Sequence, residues 1–206
     1  MRKRTLMKLE KLKAAVLVIA LSAAPALAGD YGNVSVRNCT WCHGPSAQGY
    51  APAPRLAGQR ERYIVNQLSS FRTHRRNNPF SKMYMWPASA NVGSDAARRL
   101  ADYFSRLHPR AADDGDRSLV ATGHAIYQQG VPDMNIPACV ACHGPSAQGI
   151  GQIPRLGGLS ASYLQRRLKQ WHDGFDRTAL HPMPTVGSVL SSRQIAALAS
   201  YLSFMK

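Results

Sequence analysis

Apolar side chains recur every three or four residues over several stretches of this 206-residue chain, which is the spacing typical of amphipathic helices. In residues 60–72, for example, Tyr63, Ile64 and Leu68 fall on one helical face. The alternating pattern of a half-buried strand is nearly absent. The spacing therefore predicts an all-α fold, with helices over residues 60–72, 94–107, 118–129, 160–171 and 191–204.

Most of the chain consists of one unit that occurs twice. Residues 39–49 recur as residues 139–149, and nine of the eleven positions are identical. The offset of 100 falls to 98 further along, where Tyr103 corresponds to Tyr201, so the second copy has lost two residues. A repeat of this length is too long for a solenoid and has the size of a small domain.

A short acidic segment separates the two copies. Residues 110–117 contain three Asp and one Gly and show no apolar periodicity, which is typical of a linker. We therefore expect two tandem helical domains, the first over residues 29–109 and the second over residues 118–206.

The amino-terminal residues have the pattern of a secretory signal. Residues 1–13 carry six Lys or Arg and one Glu, and an apolar run over residues 14–27 ends at Ala26-Leu27-Ala28. This pattern predicts a signal peptide over residues 1–28, cleaved after Ala28, and export to the periplasm. The alternative is an uncleaved anchor, but the run is shorter than the ~20 apolar residues that span a bilayer and contains Pro25.

Every cysteine of the chain lies in one of two Cys-x-x-Cys-His segments. Two thiols at this spacing can each add to a haem vinyl group, and the next residue, His, can then bind the iron. A thioredoxin-like dithiol would need a βαβ setting, a four-thiolate zinc site usually has its pairs ~15–20 residues apart, and a disulfide would not require the His. The segments predict two covalently bound c-type haems, attached by Cys39 and Cys42 with His43 as an iron ligand, and by Cys139 and Cys142 with His143.

A second axial ligand decides between electron transfer and ligand-binding chemistry, because an iron with both axial positions filled exchanges electrons without exchanging ligands. Met85 and Met183 each lie 18 residues before the matching Tyr of the two copies, beside prolines in predicted loops. We expect both to bind iron, with Met83 the main alternative in the first copy and His181 a minor one in the second. This ligand set predicts an electron-transfer protein and not an enzyme.

The charge of the chain is strongly positive, with 26 Lys and Arg against 11 Asp and Glu. Removal of residues 1–28 would lower the formal charge from +15 to about +10. Such a surface favours redox protein partners with acidic docking surfaces, and it also allows association with an anionic membrane surface. Nucleic acid is not an expected partner of an exported haem protein.

The paired motifs, each followed by Pro-x-Leu-x-Gly at residues 54–58 and 154–158, resemble the di-haem cytochrome c4 family over essentially the whole mature chain. The resemblance implies two class I cytochrome c domains, each wrapped around a haem with His and Met ligands and related by a pseudo-twofold axis. It also implies that the carbonyl groups of Pro54 and Pro154 accept the Nδ1 protons of the two ligand histidines.

The function that this resemblance implies is that of a periplasmic single-electron carrier. It would connect a quinol-oxidising complex or dehydrogenase with a terminal oxidase or reductase. The alternatives are a haem-bearing subunit of a larger dehydrogenase or oxidase complex and, less favoured by the paired methionines, a di-haem peroxidase. The chain departs from the family pattern in the short stretch before its first motif, residues 29–38, and in its basic surface.

Overall fold

The computed structural model describes residues 34–50, 52–176 and 182–206. Within these ranges the regular elements are all helical, and β-structure is limited to isolated bridges. The all-α prediction is therefore confirmed. The expected signal peptide, its cleavage site and His181 lie outside the described residues.

In the first half, the described residues from 34 to 109 form four α-helices and one π-helix. They are α1 (Val36–His43), α2 (Glu61–Arg72), a π-helix (Ser81–Met85), α3 (Trp86–Ser89) and α4 (Ser94–Arg106). Helix α2 packs against α4, and its apolar face contributes Ile64 to a core that includes the fully buried Leu100 and Phe104. The helices expected over residues 60–72 and 94–107 are present to within one residue.

The second half repeats this arrangement with one more long helix. Its elements are a 3-10 turn (Arg117–Leu119), α5 (Val120–Gln129), a second 3-10 turn (Pro132–Met134), α6 (Val140–His143), α7 (Ala161–His172), α8 (Met183–Val189) and α9 (Ser192–Phe204). Helix α9 packs against α5 and α7 around a second core that contains Tyr127 and Leu198. Helices α5 and α9 approach closely at Gly123, where an added Cβ would lie 2.0 Å from the carbonyl oxygen of Ala197.

The segment between the two cores is hydrogen-bonded to the second half. The amide of Ala112 donates to Gly158 O at 3.1 Å, and the carboxylate of Asp114 accepts from the amide of Ala161 at 2.8 Å. Asp114 thus satisfies a free N–H at the start of α7, although Ser160 occupies the N-cap position. The domain limits at 29–109 and 118–206 stay predictions, and the described core clusters are compatible with them.

Buried polar contacts join the two halves. The guanidinium of Arg55 donates to the carbonyl oxygens of Gly158 at 2.7 Å, Gly157 at 2.6 Å and Arg110. Arg55 is itself buried. Because both Nη groups of Arg55 donate to backbone carbonyls in the other half or in the linking segment, Arg55 fixes the relative position of the halves.

A second buried contact centres on Asp176, which is only 2% exposed. Its carboxylate accepts from the amide of Asn77 at 2.6 Å, from Asn78 Nδ2 at 3.0 Å and from Arg167 Nη1 at 2.5 Å. Burial by itself would raise the pKa of this carboxyl, but the Arg167 charge and these hydrogen bonds lower it overall.

These contacts involve arginines from two basic runs, at residues 72–76 and 166–167. Arg76 lies in the contact between the halves, where Nη2 is 3.5 Å from the hydroxyl of Tyr163, and Arg167 pairs with Asp176. Arg166 reaches across to the carbonyl of Pro52 at 2.5 Å. Part of the positive charge that the sequence suggested for partner docking is therefore used inside the molecule.

Candidate haem-binding sites

The first Cys-x-x-Cys-His segment lies in α1, whose start is capped by Ser35: its Oγ accepts from the amide of Arg37 at 3.2 Å. Cys39 and His43 are four residues apart and so lie on one face of the helix. Cys39 is half-buried and His43 is buried, whereas Cys42 is exposed. The helix thus presents one thiol and the imidazole to the interior and leaves the second thiol at the surface.

The second segment has the same arrangement. His143, the last residue of α6, is buried, Cys139 packs partly against the second core, and Cys142 is exposed. Burial raises the pKa of the Cys39 and Cys139 thiols to about 11, so both are neutral thiols near pH 7. The same pattern of burial for two thiols and one imidazole in each half indicates two equivalent sites.

Each histidine is oriented by a backbone carbonyl. Nδ1 lies 2.6 Å from Pro54 O in His43 and 3.1 Å from Pro154 O in His143, as the family resemblance implied. A carbonyl oxygen can only accept, so Nδ1 carries the proton and Nε2 has a free lone pair. Burial lowers the pKa of both rings against the opposing effect of these bonds, and the neutral imidazole is the form that binds a metal.

The methionines differ in exposure. Met83 is 66% exposed, whereas Met85 and Met183 are half-buried, and Met183 packs against the second core. Contrary to the expected loops, Met85 is the last residue of the π-helix and Met183 the first residue of α8. The neighbouring prolines explain the difference, because Pro is accepted in the first turn of a helix, where its missing N–H is not needed.

The described residues fit a haem better than the alternative thiol chemistries. The four cysteines are not bonded to one another, and the described ranges hold no cluster of three or more His, Cys, Asp or Glu that could bind zinc.

Buried Nε–H donors without an acceptor among the described residues occur on Arg55, Arg76 and Arg155. Buried cationic donors of this kind suit a cofactor that carries carboxylates, as haem does through its propionates.

The remaining histidines described by the structure are at the surface. His74 stacks on Trp86 with ring centroids 3.8 Å apart, and His124 contacts Tyr201 edge to face. His108 and His172 are exposed.

Sequence reasoning missed the residues that join the halves, above all Arg55, Gln59 and Asp176. One signal was available, because the repeat pairs the polar Gln59 with the apolar Leu159. A buried position that is polar in one copy and apolar in the other indicates that the two copies have different neighbours. Gln59 contacts the backbone of Arg155 in the other half, whereas Leu159 lies in the second core.

The sequence model of the Cytochrome c family matches the chain twice, over residues 31–108 and 120–206. The "Thiosulfate dehydrogenase electron acceptor" of Thiomonas intermedia is 36% identical over 172 residues, which cover 81% of this chain and 77% of that protein. The "Cytochrome c4" of Thiocapsa roseopersicina is 31% identical over 188 residues, covering 88% and 95%.

Among solved structures, the cytochrome c4 of Acidithiobacillus ferrooxidans superposes with a TM-score of 0.76 at 34% identity, covering 82% of this chain and 99% of that one. The similarity extends over both halves and over the arrangement of helices.

Proposed function

Because the chain belongs to the cytochrome c family, in the tandem form of the cytochrome c4 relatives, and has two covalently attached c-type haems, we propose that it carries single electrons in the periplasm. The carrier would connect a quinol-oxidising complex or dehydrogenase with a terminal oxidase or reductase. The chain is an electron-transfer protein and not an enzyme. The observation that carries the proposal is the duplicated, buried His with its Nδ1 held by a proline carbonyl.

The site residues have distinct roles in this proposal. Each haem supplies an iron that changes its oxidation state by one electron. Cys39 and Cys42 hold the first haem, and Cys139 and Cys142 hold the second. His43 and Met85 would bind the first iron and His143 and Met183 the second, a ligand set that would suit electron transfer better than peroxide or oxygen chemistry. A thioether ligand also raises the reduction potential.

The distribution of charge and exposed aromatics supports docking of an acidic redox protein on the first half. Residues 29–109 contain 11 Lys and Arg against four Asp and Glu, whereas residues 110–206 contain nine against six.

On α1, Arg37 and Trp41 are four residues apart on the exposed face, and Trp41 is 83% exposed beside the thiol of Cys42. The second copy has Ala141 at the equivalent position. An exposed indole next to a haem attachment point is suited to an interface core.

The name of one relative, "Thiosulfate dehydrogenase electron acceptor", suggests a class of electron donor. A dehydrogenase that oxidises an inorganic sulfur compound therefore belongs among the candidate donors of this chain.

No described helix is long and apolar enough to cross a membrane. Export through the amino-terminal signal and contact with an anionic membrane surface remain parts of the proposal. A fixed place in a larger complex is the alternative, and elution of the native protein near its own mass would argue against it.

The ligand assignment is tested by the weak long-wavelength absorption band that sulfur–iron bonding gives to the oxidised protein. Met85→Ala and Met183→Ala should each remove half of this band. Met83→Ala is the matched control, because it removes an exposed methionine only two residues from Met85, and it should leave the band unchanged. A full band in Met85→Ala would refute the choice of Met85.

The docking face is tested by the rate at which an acidic redox protein reduces the holoprotein. Trp41→Ala should slow this reaction several-fold, as loss of an interface aromatic does. Ile150→Ala is the control, since Ile150 is 71% exposed but lies in the second half. Equal rates for Trp41→Ala and the parent protein would place the docking surface elsewhere.

A further inference from the structure

We infer that Gln59, in the first half, sets the reduction potential of the haem in the second half by acting on the peptide group between Pro154 and Arg155. Gln59 is a positioning residue in this role, because it contacts neither haem ligand directly. The inference rests on the proposed function in one respect, the binding of the second iron by His143.

Gln59 makes a two-point contact with the backbone of Arg155. Its Oε1 accepts from the amide of Arg155 at 2.7 Å, and its Nε2 donates to the carbonyl oxygen of Arg155 at 3.0 Å. Oε1 also accepts from the amide of Arg60 at 2.9 Å, which fixes which end of the side-chain amide is the oxygen. Gln59 is 6% exposed, so these bonds are shielded from water and correspondingly strong.

The amide of Arg155 belongs to the same peptide group as the carbonyl of Pro154. The group is planar and conjugated, so an acceptor bound to its N–H increases the negative charge on its oxygen. That oxygen accepts from Nδ1 of His143 at 3.1 Å. Gln59 and His143 are therefore connected through one conjugated unit, across the contact between the two halves.

The direction of the effect follows from the chemistry of the ligand. A stronger acceptor at Nδ1 makes the imidazole a more basic ligand, and a more basic ligand stabilises the oxidised iron. Gln59 accordingly lowers the reduction potential of the second haem.

The first half acts in this way on the haem of the second half, but the second half has no equivalent residue that acts on the haem of the first. In the second copy the equivalent residue is Leu159, whose side chain cannot accept a hydrogen bond and lies in the second core. The sequences around the two ligand histidines are nearly identical, so Gln59 is one way for the duplicated sites to acquire different potentials.

The test is a redox titration of the holoprotein, with the two haems distinguished by the NMR signals of their methyl groups. Gln59→Leu, which inserts the residue used by the second copy, should raise the potential of the second haem and leave the first unchanged. The equilibrium constant for electron exchange between the haems should change roughly two- to fivefold. In the matched control, Arg60→Lys keeps the charge but removes a different contact between the halves, the bond from Arg60 Nε to Gln148 O at 2.6 Å. This control should leave the difference between the two potentials unchanged.

A second variant covers the case in which Gln59→Leu does not fold. Gln59→Glu retains an acceptor at the amide of Arg155 and adds negative charge, so the potential of the second haem should fall. An unchanged difference between the two potentials in the variant that folds, an equal shift of both potentials, or the same change of the difference in Arg60→Lys would overturn the inference. The sulfur–iron band separates this outcome from failure of the proposed function, because a full band with an unchanged potential difference rejects only the role of Gln59.

Discussion

Replacing Asp176 by Asn should destabilise the holoprotein by about 3 kcal/mol at pH 7, because it leaves a buried guanidinium without its counter-ion. Asn is the appropriate substitute at this position. Asp176 has a φ of 57°, in the left-handed region that Asn also adopts with little strain, so the change removes the charge and preserves the backbone.

The magnitude follows from the burial of the pair. The side chain of Arg167 is 10% exposed and that of Asp176 is 2% exposed, and removal of one partner from such a pair typically costs about 3–5 kcal/mol. The lower end applies here, because the Asn oxygen can still accept from one of the Asn77 and Asn78 donors. For a chain of this length, about 3 kcal/mol corresponds to a fall in melting temperature of roughly 6–12 °C.

Thermal unfolding of the two holoproteins, followed by far-ultraviolet circular dichroism, measures the effect. Asp102→Asn is the control, since it removes an ion pair with Arg106 of the same chemistry whose side chains are 47% and 77% exposed. That pair should contribute less than about 1 kcal/mol. If Asp176→Asn melts no lower than Asp102→Asn, the buried pair does not hold the halves together and the reasoning is wrong.

Three further predictions concern stability. The difference in free energy of unfolding between the parent protein and Asp176→Asn should shrink as the pH falls below about 4, because the native pKa of Asp176 is depressed and its stabilising charge is lost on protonation. Melting curves of both proteins at several pH values check this. Tyr127→Phe should cost about 1 kcal/mol, since the buried hydroxyl donates to Gly144 O at 2.6 Å, and a denaturant titration with an unchanged midpoint would contradict it. Gly123→Ala should cost about 1–3 kcal/mol, because its Cβ would collide with Ala197 O, and a melting temperature equal to that of the parent would show that α5 and α9 can move apart.

The long helices could be predicted from the sequence because their apolar spacing is a local property of the chain. Helices α2, α4, α7 and α9 begin and end within one residue of the expected limits. The helical segments at Met85 and Met183 were expected as loops, since a nearby proline is a weak guide to which side of it a helix lies.

The candidate sites were predictable to the extent that their chemistry is written into short motifs. The cysteines and the histidines come from segments that the repeat places in register, whereas the two proline carbonyls were implied by the resemblance to the cytochrome c4 family. The residue pairs that join the halves could not be predicted, because Gln59 and Asp176 meet partners about 100 positions away. The difference between Gln59 and Leu159 indicates only that the two copies have different neighbours.

The most direct test of two irons with both axial positions filled is exposure of the reduced holoprotein to carbon monoxide. The account predicts that the absorption spectrum does not change on mixing, because the proposed ligand pairs, His43 with Met85 and His143 with Met183, would leave carbon monoxide no coordination position. Rapid uptake of one equivalent at either haem would contradict it.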